Sequence, residues 1–337
     1  MTNTASTPSV RDEQFMRRAL GTALQARLIA RPNPWVGAVV VAADGSTYEG
    51  CTSAVGGPHA EIHALRRAGE AARASTLYTT LEPCSHTGRT GPCTQAIIDA
   101  GVQRVVVGIV DPDPKVAGTG LNALRAAGIE VELGVLAGQV HSQLLPYIHH
   151  RTTGMPFVVL KMASTLDGKT AAANGTSQWI TGASARQRVH ELRAESDAVL
   201  VGAGTIRADN PELTVRDAEG TSPRRIVLGS APTDAKVHPC TEYSGDLTAL
   251  LHKLGSEDVL QLLVEGGQHV AGAFHRAGLV NRYVFHFAPA IAGGDNAPGI
   301  FSGDAVGDIA DLWRGTISSV QQLDTDIEVV VEVRKEK

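Results

Sequence analysis

The chain has 337 residues and a formal net charge of −5, which favours two domains and argues against binding to long nucleic acids, whose phosphates require Lys and Arg. Its content of 43% hydrophobic and 19% charged residues is typical of an ordinary globular protein. No apolar run approaches the roughly 20 residues of a membrane-spanning helix, so we expect no membrane association.

The N-terminus and the cysteines indicate the cellular compartment. Residues 1–10 are polar and small, unlike a signal peptide, and we expect them to form a disordered tail. Four cysteines in this length do not make a disulfide framework. Two of them belong to a metal-binding pattern, which favours the reducing cytoplasm. We expect the other two, Cys51 and Cys240, to be buried thiols.

In chain order, the first half predicts strands that alternate with helices. The apolar spacing of residues 11–30 predicts a helix that Pro32 and Pro34 end. Strands are predicted over 36–42, 46–51, 76–81, 104–110 and 129–135. Helices are predicted from His59 to Gly69 or Ala74, over 93–100 and over 121–127. This alternation is typical of an α/β layered sheet.

Three residues in the first half have the spacing of a catalytic metal site. His59, Cys84 and Cys93 each follow a proline, and with Glu61 they approach the pattern H-x-E…P-C-x-x-C of zinc-dependent base deaminases, except that eight residues instead of two separate the cysteines. One imidazole and two thiolates would fill three positions around Zn²⁺ and leave the fourth to a water, whose pKa the metal lowers toward ~7. We predict that Glu61 shuttles a proton from this water to the leaving ammonia.

Two other interpretations of this pattern remain open. The zinc site could be a closed structural site, in which case His63 or His86 would have to supply a fourth ligand. Alternatively, the two cysteines lie far from the histidine in the folded protein, and the three residues form no metal site.

A short polar segment with Gly and Pro, residues 151–156, predicts a domain boundary. Beyond it, strands are predicted over 157–162, 198–201, 225–228, 259–264, 282–288 and 328–333. Helices are predicted over 182–195, with Ser184 as its cap, and over 247–254 and 268–277. No strand is predicted between residues 230 and 246.

Glycines follow two of these predicted strands, at 202–205 and 265–267. Glycines allow a ligand to approach the backbone, and the N–H groups of a following helix can bind an anion, although two glycines after a strand often form only a turn. No G-x-G-x-x-G pattern with a following acidic residue is present, so a Rossmann dinucleotide site is not supported.

The motifs of both halves resemble those of one enzyme family. Residues 58–61 and 81–93 are similar to the deaminase half of the bifunctional riboflavin-biosynthesis deaminase–reductases. The reductase half of that family matches residues 160–163, 166–169, 177–181, 204–205, 208–211, 213–216 and 264–267. The resemblance implies two three-layer α/β domains, a cytidine-deaminase-like one over 11–150 and a dihydrofolate-reductase-like one over 156–334.

The resemblance also implies the chemistry. The zinc domain would deaminate 2,5-diamino-6-(5-phosphoribosylamino)pyrimidin-4-one by hydrolysis. The second domain would reduce the ribose side chain with NADPH to give 5-amino-6-(5-phosphoribitylamino)uracil. We therefore expect a small-molecule phosphoribosylaminopyrimidine substrate, no nucleic-acid partner and a homo-oligomer.

Carried over position by position, the resemblance implies site residues in both halves. Substrate contacts in the deaminase half are implied for Asn33, His86, Arg89 and Asp111. In the reductase half they are implied for Lys161, Ser177, Arg193, Leu213, Arg216 and Glu265. Contacts with NADPH are implied for Ala163, Trp179, Thr205, Asp209, Ser230, Gly267, Gln268, His269, Val270, Ala271, Gly272 and Ala273. One of Lys161, Asp209 and Glu265 would supply the proton in the reduction, and the sequence does not rank them.

Several of these residues have a simpler interpretation. Asn33 could form a turn before proline, and Arg89 could be a solvated loop residue. Trp179 could be a core residue, and Arg193 and Arg216 could form surface ion pairs, since Arg193 lies near Glu191 and Glu195 in the predicted helix.

Three features depart from the family pattern. Gly91 stands where the family usually has proline, and Asp113 stands where it more often has Asn, so no role is carried over to Asp113. The segment between Ser230 and Asp246 has only 15 residues, so a preference for NADPH over NADH rests on the resemblance alone.

Two other classes of function are compatible with a zinc site. A nucleic-acid-editing deaminase with an accessory domain should have a basic face, yet Asp and Glu (35) outnumber Lys and Arg (30). A zinc-stabilised binding module without catalysis would hold the metal and release no ammonia.

Overall fold

The computed structural model describes residues 9–85, 91–114 and 116–334. The chain divides into two compact units, Met1–Thr153 and Gly154–Lys337. The helix that ends the first unit continues through Thr153, so the first half of the boundary segment predicted at 151–156 is helical rather than a linker.

The first unit is a mixed sheet with helices on both faces. Its described residues form helices α1 (Val10–Leu24), α2 (Ala60–Ala68), α3 (Cys93–Asp99), α4 (Thr119–Ala126), α5 (Ala137–Gln143) and α6 (Leu145–Thr153), with a 3₁₀ turn at Gly69–Ala72. The strands are β1 (Gly37–Val41), β2 (Thr47–Cys51), β3 (Thr76–Leu81), β4 (Arg104–Ile109) and β5 (Glu130–Leu133). They lie in the order β2-β1-β3-β4-β5, and β3, β4 and β5 are parallel.

Close backbone contacts show that α1 and α2 cover opposite faces of this sheet. A Cβ added to Gly37 on β1 would lie 1.9 Å from the Ala19 carbonyl oxygen in α1. A Cβ added to Gly50 on β2 would lie 2.3 Å from the Ala60 carbonyl oxygen in α2. Gly50 pairs with Ala38, the residue after Gly37, and successive residues of a strand point to opposite faces. The first unit therefore has three layers.

The second unit contains a larger sheet. Its described residues form helices α7 (Ala183–Ala194), α8 (Ala203–Asp209), α9 (Leu247–Ser256) and α10 (Gln268–Arg276), with a 3₁₀ turn at Ile309–Asp311. The strands are β6 (Phe157–Thr165), β7 (Ala198–Gly202), β8 (Arg224–Leu228), β9 (Thr241–Tyr243), β10 (Gln261–Val264), β11 (Arg282–Ala288), β12 (Gly315–Leu323) and β13 (Asp326–Val333). They lie in the order β12-β13-β11-β6-β10-β7-β8-β9.

Alternation along β6 separates the core of the second unit from its candidate site. Leu160 and Met162 are buried in a cluster with Leu250 of α9 and Phe274 of α10. Lys161, between them, points to the opposite face of the sheet. The strands from β11 to β9 run parallel, so the carboxyl ends of β6, β7 and β10 lie at one edge. Ligands of α/β sheets usually bind at such an edge.

Several predicted boundaries were wrong. Helix α1 ends at Leu24 rather than near residue 30, and residues 25–29 continue as turns. Ser184 does not cap α7; Gly182 is the N-cap, and its N–H donates to Asp326 Oδ2 at 2.6 Å. The 202–205 segment opens helix α8 instead of forming a turn.

Other elements were not predicted at all, namely α5, α6, α8, β9 and β12. The β12 sequence mixes polar and apolar residues, and its strand exists because it pairs antiparallel with β13. The prediction of buried thiols was also wrong, because Cys51 and Cys240 are both half-buried. Within the described part of the chain, no helix has the length and hydropathy needed to cross a membrane.

Candidate active sites

His59, Cys84 and Cys93 come together in the first unit. The His59 Nδ1 atom lies 3.2 Å from Cys93 Sγ and 3.5 Å from Cys84 Sγ, and the three ligand atoms all lie within 4.8 Å of one another. Tetrahedral Zn²⁺, with Zn–S near 2.3 Å and Zn–N near 2.0 Å, would hold such nitrogen and sulfur atoms about 3.5 Å apart. One imidazole and two thiols in this arrangement fit zinc.

Three junctions between elements deliver these ligands. His59 is the N-cap residue of α2, and Cys93 is the first residue of α3. Cys84 follows the end of β3 and accepts a hydrogen bond from the Cys93 N–H at 3.4 Å. Backbone N–H groups at a helix start stabilise a thiolate, so the fold favours the ionised form that binds metal.

The two thiols share one negative charge. The hydrogen bond from Cys93 lowers the pKa of Cys84 to about 4 against the opposing effect of burial, and His59 adds to the lowering. The same hydrogen bond, together with burial, raises the pKa of Cys93. The hydrogen bond to Cys84 raises the pKa of His59, although burial opposes it. A bound metal would displace these shared protons.

Glu61 is buried beside this cluster, with 3% of its surface exposed. The pKa of Glu61 is raised to about 7, mainly by burial; the charge of His59 opposes this shift, and the charge of Cys84 contributes to it. A carboxyl group with a pKa near neutrality can both take up and release a proton at physiological pH. The carboxyl group is not one of the three clustered ligands.

The other predicted residues of the first unit lie in different environments. His63 Nε2 is hydrogen-bonded to Ser53 Oγ at 2.7 Å and does not join the ligand cluster, so it does not close the site. Asp111 is buried and accepts a hydrogen bond from Tyr147 at 3.2 Å. Asn33 is half-buried in the turn after α1, and its N–H donates to the Ala30 carbonyl at 2.9 Å. His86 and Arg89 lie outside the described residues.

A cavity of about 600 Å³ opens at the carboxyl edge of the second sheet. This volume is within the usual range for small-molecule sites. The predicted residues among its lining are Lys161, Ala163, Ser177, Trp179, Arg193, Thr205, Asp209, Leu213, Arg216, Glu265 and Gly267.

Lys161, Arg193 and Glu265 form a charged group in this cavity. Arg193 donates two hydrogen bonds to Glu265, at 2.7 and 2.8 Å, and a third to the Thr214 carbonyl at 3.2 Å. Arg193 is 9% exposed, so the predicted alternative of a surface ion pair with Glu191 or Glu195 was wrong.

The surroundings of Lys161 and Glu265 determine the pKa of each and therefore which of the two carries a proton. Burial lowers the pKa of Lys161 to about 8, and the charge of Glu265 opposes the shift. Burial raises the pKa of Glu265, but the charge and hydrogen bonds of Arg193 outweigh it, so the net pKa is lowered. At neutral pH the site therefore presents a protonated amine beside a carboxylate.

Trp179 is an exposed part of the cavity wall rather than a core residue. Its side chain is 70% exposed, and the guanidinium of Arg186 lies 4.7 Å from the ring centroid. Arg186 also donates to the Thr181 carbonyl at 2.9 Å. Nearby, the Ser177 hydroxyl donates to Asp209 Oδ1 at 3.1 Å. These contacts fix one side of the cavity.

Some predicted residues are not in the cavity lining. Ser230 is exposed and lies outside the lining. Arg216 does belong to the lining, but its side chain forms an ion pair with Glu212 at 2.8 Å. Ala271 is fully buried, and Gly272 packs where an added Cβ would lie 2.2 Å from the Ser302 carbonyl oxygen. The remaining residues of this run, Gln268, His269, Val270 and Ala273, belong to the first turns of α10 and do not line the cavity either.

Sequence reasoning missed several residues of the second site. Arg186, Val189 and His190 line the cavity from α7 together with Arg193, at the spacing of one helical face, and that periodicity was the available signal. Buried Glu328 is hydrogen-bonded to His286 at 3.0 Å and forms an ion pair with Arg188 at 3.3 Å, and its charge raises the pKa of Lys161. No sequence signal joins these three residues.

Comparisons with known proteins agree on one family. Residues 156–329 match the RibD C-terminal domain, and residues 9–109 match the cytidine and deoxycytidylate deaminase zinc-binding region. The chain is 37% identical to the riboflavin biosynthesis protein RibD of Escherichia coli K12, over 94% of this chain and 98% of that protein.

Two solved structures are similar over nearly the whole chain. Acinetobacter baumannii RibD aligns with a TM-score of 0.90 at 36% identity and covers 96% of this chain and 99% of that one. A Thermotoga maritima diaminohydroxyphosphoribosylaminopyrimidine deaminase/5-amino-6-(5-phosphoribosylamino)uracil reductase aligns with a TM-score of 0.86 at 36% identity, with coverage of 96% and 99%.

The fold and the two sites thus define an enzyme in which a cytidine-deaminase-like zinc domain is joined to a reductase domain. The chain belongs to the RibD family of bifunctional deaminase–reductases of riboflavin biosynthesis. Its cofactors are zinc and NADPH, and it acts on a small molecule. The predicted fold class, enzyme class and cofactors are confirmed, and the interpretation as a binding module without catalysis was wrong.

Proposed function

We propose that the first unit deaminates 2,5-diamino-6-(5-phosphoribosylamino)pyrimidin-4-one and that the second reduces the ribose side chain of the product to give 5-amino-6-(5-phosphoribitylamino)uracil. The name of the similar Thermotoga maritima enzyme supports these substrates. The observation that carries the proposal is the cluster of His59, Cys84 and Cys93 with Glu61 buried beside it. We assign the deaminase to residues 11–150 and the reductase to residues 156–334.

In the deaminase site, His59, Cys84 and Cys93 would hold zinc, which supplies a Lewis acid that makes a water acidic. Glu61 takes a proton from the attacking water and delivers it to the exocyclic amine, which leaves as ammonia. The near-neutral pKa of Glu61 suits both transfers. Asn33, Asp111, His86 and Arg89 are proposed to contact the substrate.

In the reductase site, bound NADPH would supply a hydride for C1′ of the ring-opened sugar, and this chain must then provide a proton for the adjacent nitrogen or oxygen. We propose Lys161 as the donor, because its pKa of about 8 keeps it largely protonated at neutral pH. Glu265 is unsuited, because its lowered pKa leaves it ionised in the pair with Arg193. Glu265 instead holds Arg193 in the cavity wall.

The remaining cavity residues divide between cofactor and substrate. We propose that Ala163, Trp179, Thr205, Asp209 and Gly267 contact NADPH, which is consistent with their common place in the lining. Ser177, Leu213 and Arg216 are proposed to contact the substrate. Arg216 would have to exchange its exposed pair with Glu212 for the ribose phosphate, a small cost because such pairs contribute little.

We further propose a cytoplasmic homo-oligomer. Zinc binding through Cys84 and Cys93 requires reduced thiols, which the cytoplasm maintains. Strand β12 lies at the edge of the second sheet, and Ile317 and Val320 on it are each 63% exposed. The bulge between Ile317 and Ser319 places both apolar side chains on one face. An exposed apolar edge of this kind supports association with a second copy.

The test uses Glu61→Ala in the full chain. Ammonia release should fall by about 10²-fold or more, while zinc stays bound and NADPH oxidation on the deaminated substrate continues at the normal rate. Ammonia release at an unchanged rate would contradict the role of Glu61. An exposed glutamate of the same unit, Glu70, provides the matched control as Glu70→Gln.

A further inference from the structure

Glu82 is a buried carboxylate that the deaminase chemistry does not use. It is 3% exposed and lies between the end of β3 and the ligand Cys84. Its Oε1 atom accepts from the N–H groups of Gly120 at 2.8 Å and Leu121 at 3.2 Å. Its Oε2 atom accepts from the N–H groups of Gly118 at 2.9 Å and Asp111 at 3.2 Å.

These four hydrogen bonds join two segments of the first unit that lie far apart in the chain. The Glu82 N–H donates to the Ile109 carbonyl at 3.0 Å, so β3 and β4 are still paired at this point. Asp111 is the second residue after β4, and Gly118 is the N-cap residue of α4. The Glu82 side chain therefore binds the backbone at both ends of the loop between β4 and α4, and it also binds the first turn of α4.

Two further contacts reinforce this junction. Gly120 packs so closely on the loop after β3 that an added Cβ would lie 2.0 Å from the Pro83 carbonyl oxygen. The Ser85 and Thr119 hydroxyl groups are 2.7 Å apart and hydrogen-bonded. Residues 82–85 thus pack directly against residues 118–121. The metal ligand Cys84 belongs to the first of these two segments.

We infer that Glu82 is a positioning residue of the deaminase, which fixes Asp111 relative to the zinc ligand Cys84. The inference rests on the proposed contact between Asp111 and the substrate. Asp111 is itself oriented, since its Oδ1 accepts from the Asp113 N–H at 2.9 Å and from Tyr147 at 3.2 Å. Without the Glu82 side chain, the hydrogen bonds that Asp111 accepts would remain, but the backbone of Asp111 and the start of α4 would lose their hydrogen bonds to the residue two positions before Cys84.

A carboxylate is required because each of its oxygens accepts two N–H donors. In Glu82→Gln one oxygen becomes an NH₂ group that faces two donors, so two of the four hydrogen bonds are lost. We expect the KM of the deaminase to rise at least about tenfold and kcat to stay within about threefold, because the zinc and Glu61 remain in place.

The full-length protein contains the controls for this test. Ammonia release gives KM and kcat, metal analysis gives the zinc content, and NADPH oxidation on the deaminated substrate reports the second unit. Zinc content and NADPH oxidation should be unchanged in Glu82→Gln. Glu70→Gln should leave every quantity unchanged. In a double-mutant cycle with Asp111→Asn, the double variant should have no higher KM than the worse single variant.

The outcomes separate this inference from the proposed function. If Asp111→Asn raises KM and Glu82→Gln does not, the positioning role is overturned and the substrate contact stands. If Asp111→Asn leaves KM unchanged, the substrate contact fails and the positioning role fails with it. Additive effects in the cycle would also overturn the role.

A milder variant decides the case in which Glu82→Gln loses zinc or unfolds. Thr119→Val keeps the shape of the side chain and removes the hydrogen bond with Ser85, together with the one that the Thr119 hydroxyl donates to the Val116 carbonyl. It should raise the KM of the deaminase about twofold to fivefold with zinc retained. An unchanged KM in Thr119→Val would then overturn the inference.

Discussion

The charges around Lys161 explain how one residue in the reductase cavity can act as a proton donor. The neighbouring Arg193 and burial both disfavour its charged form, while Glu265 and Glu328 favour it. The balance lowers the pKa to about 8, well below that of an exposed lysine. A general acid is most effective in that range, because it is protonated and still releases its proton readily.

This balance predicts the pH dependence of the reductase. Lys161 is protonated below its pKa of about 8, so the rate of NADPH oxidation on the deaminated substrate should fall as the pH rises through that value. Glu265→Gln removes a negative charge that raises the pKa of Lys161, so the falling limb should move to lower pH. If the fall in rate occurs at the same pH or at a higher pH in Glu265→Gln, the assignment of Lys161 is contradicted.

The cysteines predict a selective loss of metal. Cys93→Ser removes one of three clustered ligands and should reduce zinc from a near-stoichiometric content to a small fraction, with loss of ammonia release. Cys51→Ser, at a half-buried thiol outside the cluster, is the matched control and should retain zinc. Equal zinc in the two variants, measured by metal analysis, would be incompatible with the proposed ligands.

Helix α7 shows how a single element builds one wall of the reductase cavity. Arg186, His190 and Arg193 lie along one face of this helix at its characteristic spacing. Arg186 packs on the ring of Trp179, while Arg193 binds Glu265 from the end of β10. The helix thus connects the proposed cofactor contact to the charged group around Lys161.

The exposed ring of Trp179 predicts its contribution to cofactor binding. Trp179→Leu should raise the KM for NADPH about tenfold, since a stacked aromatic contact contributes ~1.4 kcal/mol or more. The kcat should change less, because the proton donor is untouched. Ammonia release is the internal control, and it should be unaffected. An unchanged KM for NADPH would remove Trp179 from the proposed cofactor contacts.

Among the helices and strands, the sequence predicted well those that have a strong residue pattern of their own. Strand β3 was predicted over 76–81 and β11 over 282–288, and both have those bounds, because each is rich in β-branched and aromatic residues. Strand β12 was missed because pairing with β13, rather than its own pattern, makes it a strand. Helix α8 was missed because its glycines are typical of a turn.

In the candidate sites, too, some residues could be predicted from the sequence and others could not. The metal ligands were predictable because their residue types and spacing are dictated by zinc chemistry. The pair of Arg193 and Glu265 joins residues separated by 72 positions, and only the packing of α7 on the sheet brings them together. The role of Glu82 was hidden for the same reason, since its partners are backbone N–H groups of a distant loop.

For the whole molecule, the exposed face of β12 predicts oligomeric state. Val320→Asp places a charge on the apolar face that we propose to pair with a second copy, so the protein should become monomeric in sedimentation analysis. Val55→Asp, at a 47% exposed valine of the first unit, is the matched control and should leave the assembly intact. An assembly that persists in Val320→Asp would require another interface.

The two compact units also predict that the two reactions can be observed separately. The zinc cluster and Glu61 lie in the first unit, and the cavity around Lys161 lies in the second. A variant that loses one activity should therefore retain the other, as the tests of Glu61 and Trp179 require.

The most direct test is mass spectrometry of the product formed from the diaminopyrimidine substrate, with and without NADPH. Without NADPH, the product should carry an oxygen in place of one amine group. With NADPH, the same product should gain two hydrogens. A substrate that keeps both amine groups, or a deaminated product that gains no hydrogen when NADPH is present, would contradict the account.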